Sequence, residues 1–108
     1  MFNLDFLKSI FHRQIKISNN WDTEYYTQID NFLTKYLNAD QVDKTIPEPE
    51  MVFVTYKITD QKLTLFFEGM DGTSILANKR ILKKTITQIY KQKRELLDEN
   101  LDWEKYLN

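Results

Sequence analysis

From Met51 to Glu68 the side chains follow a pattern that a pleated strand uses and a helix cannot. Met51-Val52-Phe53-Val54-Thr55-Tyr56-Lys57-Ile58 and Lys62-Leu63-Thr64-Leu65-Phe66-Phe67-Glu68 are rich in β-branched and aromatic residues, which pack well on a half-buried pleated surface. With a two-residue turn at Asp60-Gln61, Ile58 faces Leu63, Tyr56 faces Leu65 and Val54 faces Phe67, and these six form one apolar face. The opposite face pairs Lys57 with Thr64, Thr55 with Phe66 and Phe53 with Glu68, so it is mixed. A slip of one residue would bury Lys57 and Glu68, because side chains alternate sides along a strand. Asp60-Gln61 is not the Asn-Gly or Asp-Gly pair that two-residue hairpin turns favour, which leaves a longer loop as the alternative.

Helical spacing governs two stretches before this hairpin. Phe2, Phe6, Leu7, Ile10 and Phe11 recur on one face, predicting a helix over residues 3–12 that either covers a core or lies on a membrane surface. Tyr25, Ile29, Phe32, Leu33, Tyr36 and Leu37 form the stripe of a helix over 22–38. Asp22 is its N-cap candidate, because a short acceptor can take up a free backbone N–H of the first turn, and Glu24 suits the positive end of the helix dipole. Between the two, Gln14-Ile15-Lys16-Ile17-Ser18 alternates and reads as a possible strand over 14–18.

Residues 39–50 read as a loop, since Pro47 and Pro49 each remove a donor and restrict the preceding residue. After the hairpin, Gly69-Met70-Asp71-Gly72 is a turn that uses glycine where φ is positive, with Thr73 or Ser74 able to cap the next helix. Ile75, Leu82, Ile86, Ile89, Leu96 and Leu97 then form a stripe that predicts one long helix over 74–97. Leu101, Trp103, Tyr106 and Leu107 belong to a short C-terminal helical segment. The expected architecture is α+β: a small antiparallel sheet of the hairpin 51–58/62–68, with a third strand at 14–18, packed against two or three helices.

The chain has 108 residues, the size of a single domain, and its seven Phe, six Tyr and two Trp suffice for a core without metals or crosslinks. With no Cys, thiolate metal sites, cysteine nucleophiles and disulfides are excluded, and one His rules out polyhistidine metal sites within the chain. No apolar run approaches the roughly 18 residues needed to cross a bilayer. The first residues carry no basic n-region and lead to no small-residue cleavage site, so the expected location is the cytoplasm.

The net charge of −1 conceals strong segregation. Residues 1–16 carry +2, residues 17–78 carry −6, residues 79–94 carry +7 and residues 95–108 carry −4. Opposed blocks of this kind imply partners that a near-zero total would not. On the 74–97 helix Arg80, Lys84, Lys91 and Arg94 fall within an arc of about 80° at 100° per residue, a stripe suited to phosphates or to solvent. Glu48, Glu50, Asp60, Glu68 and Asp71 surround the hairpin, and Asp98, Asp102 and Glu104 flank Trp103, with Glu99 beside them. Acids near aromatics suit a basic partner, because charge steers the encounter and an aromatic ring supplies the anchor. The bland alternative is a solvated surface with Trp103 closing the core.

Signals for catalysis are weak. His12 and Ser9 lie on one predicted helical turn without an orienting group or oxyanion donors. Glu48 and Glu50 sit on a proline-containing segment where nothing would raise a carboxyl pKa. Gly69-Met70-Asp71-Gly72-Thr73-Ser74 matches neither the P-loop nor the dinucleotide fingerprint, and no calcium loop is present. The expectation is a non-enzymatic protein-binding module with no cofactor or metal, of the inhibitor or immunity type that neutralises a toxin or effector. The alternative is a nucleic-acid accessory protein using Arg80, Lys84, Lys91 and Arg94, and self-association is a third possibility.

Overall fold

A computed structural model describes residues 13–107. The predicted helix over 3–12, together with Ser9 and His12, lies outside the described residues. Element order is β1 (Arg13–Ser18), α1 (Thr23–Leu37), β2 (Asp40–Glu48), β3 (Met51–Ile58), β4 (Gln61–Glu68), β5 (Gly72–Ala77) and α2 (Lys79–Gln92), followed by single 3-10 turns at Arg94–Leu96 and Glu104–Tyr106. The strands form one antiparallel sheet in the order β1-β5-β4-β3-β2. The α+β class is as expected. The sheet, however, has five strands where two or three were anticipated.

Two strands were hidden for different reasons. β2 occupies most of the segment read as a loop, and its nine residues are all exposed, so burial leaves no alternation to detect. Pro47 fits because Ile46 and Pro47 have no partner in the ladder to β3, whose register shifts between Thr45 and Glu48. Proline is tolerated at such an edge bulge, where no ladder bond depends on its missing N–H. β5 has the opposite character. It lies between β1 and β4, and five of its six residues are buried, so both faces are covered and the period of two disappears. Ile75 also falls on the helical spacing of Leu82, Ile86 and Ile89, which joined strand and helix into one predicted element. The real helix begins after Asn78, whose side-chain oxygen accepts from the Ile81 N–H at 2.8 Å. Thr73 is a buried strand residue, and its hydroxyl donates to the Asn20 carbonyl at 2.7 Å.

The 51–68 hairpin forms with Thr59-Asp60 as its turn, pairing Ile58 with Gln61, Tyr56 with Leu63, Val54 with Leu65 and Val52 with Phe67. This register differs by two residues from the expected one. An even shift keeps every side chain on its anticipated face, so the core assignment survives the change. Thr59 carries the positive φ of the turn, at 56°.

α1 follows its stripe. The Asp22 carboxylate accepts from the Tyr25 N–H at 2.8 Å, and the helix ends where Asn38 turns left-handed at φ 52°. Tyr25, Ile29, Phe32, Leu33 and Leu37 join the core with Ile17, Val54, Tyr56, Leu65, Ile75, Leu82, Ile86 and Ile89, so both helices cover the same face of the sheet. Leu96, Leu97 and Trp103 of the C-terminal segment close that layer. On the opposite face Phe53 meets Phe66 edge to face at 4.6 Å, and the Thr55 and Thr64 hydroxyls lie 3.0 Å apart.

The two edges of the sheet differ. Along β1 the Asp98 N–H donates to the Ile17 carbonyl at 2.7 Å, so the C-terminal segment satisfies part of that edge. β2 has a strand neighbour on one side alone among the described residues.

Candidate functional site

Chain reversals bring together acids that are far apart in sequence. Glu48 ends β2, Glu50 lies in the turn to β3, Glu68 ends β4 and Asp71 lies in the turn to β5. Ladder pairs Glu48 with Met51, Met51 with Glu68 and Glu68 with Gly72 place all four acids at one end of the sheet. The turns are tied to each other, since the Gly69 N–H donates to the Glu50 carbonyl at 2.8 Å. β1 also ends here, because Ser18 pairs with Thr73, and the chain then passes Trp21 and Asp22 into the first turn of α1. Asp22 and Glu24 therefore extend the acidic end.

Large apolar side chains stand exposed around these carboxylates. Trp21 is 46% exposed, Ile46 60% and Met70 91%. Met70 occupies the β4–β5 turn with φ 72° and projects from it. A cleft of about 500 Å³ opens between the first turns of α1 and the end of the β2–β3 hairpin. Its floor is Tyr26 stacked on Phe67, with ring centroids 5.1 Å apart and planes 15° from parallel. Trp21, Ile46, Pro49 and Val52 form the apolar walls, and Asp22 and Glu50 stand at its border. The Lys44 ammonium lies over the Tyr26 ring at 4.9 Å, and the Tyr26 hydroxyl donates to the Gln41 side chain at 3.3 Å. The cleft thus has a rigid aromatic floor, an apolar wall and a largely acidic rim, which suits an apolar side chain flanked by cations.

The remaining expected residues lie elsewhere. Asp60 is in the β3–β4 turn, at the opposite end of the sheet. Asp98, Asp102 and Glu104 belong to the C-terminal segment, where Asp102, Trp103 and Glu104 line another cleft, of about 640 Å³, with Tyr90, Arg94 and Glu99. The Asp98 carboxylate accepts from Asn100 N–H at 2.9 Å, and that of Asp102 accepts from Glu104 N–H at 3.1 Å. Trp103 is a core residue, 5% exposed, whose indole N–H donates to the Asp98 carbonyl at 2.6 Å. Of the basic stripe, Arg80, Lys84 and Lys91 are exposed on α2, whereas Arg94 lies beyond the helix end. The Arg94 guanidinium sits 3.8 Å from the Tyr90 ring centroid, and its Nε donates to the Tyr90 carbonyl at 3.3 Å.

Trp21, Tyr26 and Ile46 escaped the sequence reading. Trp21 and Tyr26 lie off the apolar stripe of α1, and a large aromatic just before an N-cap was the available signal. Ile46 had none, because its exposure depends on β2 being an edge. Among the described residues, no group of three or more His, Asp or Glu is placed to hold a metal ion, and no helix is long and apolar enough to cross a membrane. No protein-family model, no curated protein and no solved structure matches this chain.

Proposed function

We propose that this chain is a cytoplasmic protein-binding module without chemistry of its own, of the inhibitor or immunity type, which engages a basic partner through its acidic end. The observation that carries this reading is the meeting of Glu48, Glu50, Glu68 and Asp71 at one end of the sheet, beside a cleft that Trp21, Asp22, Ile46 and Glu50 line. Carboxylates raise the rate of encounter with a cationic surface, and apolar side chains that lose water on contact hold the complex. Asp98, Asp102 and Glu104 add to the negative field that steers such a partner.

A second reading rests on α2. Lys79 and Arg80 occupy its first turn, where cations oppose the helix dipole and each costs about 0.3–1 kcal/mol. With Lys84 and Lys91 they form a basic face suited to nucleic-acid phosphates.

One experiment separates the two. The protein, a Glu48→Lys/Glu50→Lys/Asp71→Lys variant and an Arg80→Glu/Lys84→Glu/Lys91→Glu variant are used to capture partners from native lysate, with and without nuclease. The proposal expects a discrete protein that survives nuclease and is lost with the acidic-end variant alone. Nuclease-sensitive capture lost with the α2 variant overturns it in favour of nucleic acid.

A further inference from the structure

The edges of the sheet are treated unequally, and the one left without a further strand among the described residues borders the cleft. β1 has the Ile17 carbonyl satisfied by the Asp98 N–H at 2.7 Å, while β2 runs for nine exposed residues with its outer backbone groups unpaired by any described strand. An uncovered edge is a template for another strand, because each backbone N–H and C=O along it can pair. Protein edges are usually blunted, and β2 is interrupted at two points, where the register shifts between Gln41 and Asp43 and where Pro47 and a further shift fall between Thr45 and Glu48. Within β2 Pro47 alone lacks a backbone N–H.

We propose that β2 receives an extended, cationic segment of a partner protein as a sixth strand, with every second side chain of that segment entering the cleft beside α1. This mode of recognition rests on the protein-binding reading above. Lys44 and Ile46 belong both to the edge strand and to the cleft lining, so a strand laid along β2 passes the cleft mouth. Alternation of side chains along a strand then puts one set toward the aromatic floor and the other toward solvent.

Charge selects the occupant. β2 carries Asp40, Asp43 and Glu48 against Lys44, and Glu50 lies in the turn after it. Pairing β2 with β2 of a second copy would bring these acids together, which disfavours a homodimer through this edge. A segment alternating Lys or Arg with apolar residues meets opposite charge instead.

The probe is a synthetic, amide-capped peptide of alternating lysine and valine or threonine, titrated into isotope-labelled full chain at low salt. Controls are a glutamate-for-lysine peptide and one methylated at alternate backbone nitrogens. The expected result is hydrogen-exchange protection of β2 amides on adding the lysine peptide. The glutamate and N-methylated peptides should bind at least about tenfold more weakly, and Asp43→Lys/Glu48→Lys should weaken the lysine peptide similarly. Binding that is indifferent to N-methylation and leaves β2 amides unprotected overturns strand addition. So does absence of binding, and if the acidic-end variant still loses its captured partner, the protein-binding reading stands without this mode. Concentration-dependent β2 protection without peptide overturns the proposal in favour of self-association.

Discussion

The Tyr56 hydroxyl donates a 2.6 Å hydrogen bond to the Asp30 carboxylate, tying β3 to α1. Tyr56 is fully buried, whereas Asp30 is half-buried, so the bond joins the core to its polar border. Tyr56→Phe keeps the ring but removes the donor, and the expected cost is about 1.5 kcal/mol, since hydrogen bonds to charged groups fall at about 1.5–3 kcal/mol and the carboxylate can regain water. Urea unfolding of the two proteins measures it. An unchanged midpoint would show that the bond adds nothing.

Alkaline pH acts on the same tyrosine. Burial first, then the Asp30 carboxylate, push Tyr56 well above the ordinary value of 10.0. Burial also raises Tyr25, opposed in part by the Ser18 hydroxyl, while Tyr25 donates to the Leu96 carbonyl at 2.6 Å. Below pH 10.0 both folded and unfolded tyrosines hold their protons, and this contribution is fully present. Above it the unfolded chain releases protons that the folded chain retains, so stability falls as pH rises. Urea midpoints between about pH 9 and about pH 11 should drop more steeply for the native sequence than for Tyr25→Phe/Tyr56→Phe.

Thr85 is fully buried in α2, and its hydroxyl has no hydrogen-bond partner among the described residues. An unsatisfied buried hydroxyl carries a desolvation cost of about 1–3 kcal/mol. Thr85→Val replaces it with a methyl group of similar size, and both residues are β-branched, so helix propensity changes little. The expected result is a gain of about 1 kcal/mol, seen as a higher thermal midpoint.

Gly72 opens β5 at φ 97°, and a Cβ there would lie 2.2 Å from the Ser18 carbonyl oxygen and 2.8 Å from the Asn19 Cα. Both obstacles are backbone, so neither can rotate away. Gly72→Ala should cost about 3 kcal/mol or more, combining left-handed strain with the displacement of the end of β1. Gly69 lacks a positive φ, and a Cβ there would meet the Glu50 Cβ at 3.0 Å, a contact that a small shift of Glu50 relieves. Gly69→Ala should therefore cost clearly less in the same denaturation assay.

Trp21 and Ile46 are exposed, so their loss should alter stability by no more than about 0.5 kcal/mol. Trp21→Ala/Ile46→Ala should nevertheless reduce retention of a captured partner by at least about tenfold, because exposed anchors act only in the complex. Trp103→Ala should behave in the reverse way, costing about 3–5 kcal/mol through a lost core ring. Partner retention and urea midpoints, measured on the same preparations, check both.

Much of the local structure was legible, and the residues show why. α1 announced itself through five buried stripe positions and an acceptor at Asp22, all within one element. The faces of β3 and β4 were legible because a misplaced Lys57 or Glu68 would be buried. β1 showed its alternation, with Ile15 and Ile17 turned toward the core. The exact register of β3 on β4 was not legible. Thr59 at φ 56° is a poor local candidate for a turn and is held there by the pairing on either side.

The candidate site was legible residue by residue, but not as a site. Glu48, Glu50, Glu68 and Asp71 could be named as acids near turns, whereas their meeting depends on β2 and β5 being strands. Trp103 looked like an anchor by its acidic neighbours, yet the space between Leu96, Leu97 and the helices buried it.

By itself the sequence determined the periods, the caps, the face of each β3 and β4 side chain and the blocks of charge, because these depend on residues within one or two turns of each other. Tertiary structure decided that the described residues form five strands, that β2 lies at an edge of them and which acids share one end. An edge strand such as β2 and a doubly covered strand such as β5 owe their form to neighbours distant in the chain. The sheet pairs one side of β2 and both sides of β5, and no local pattern of side chains has to record that.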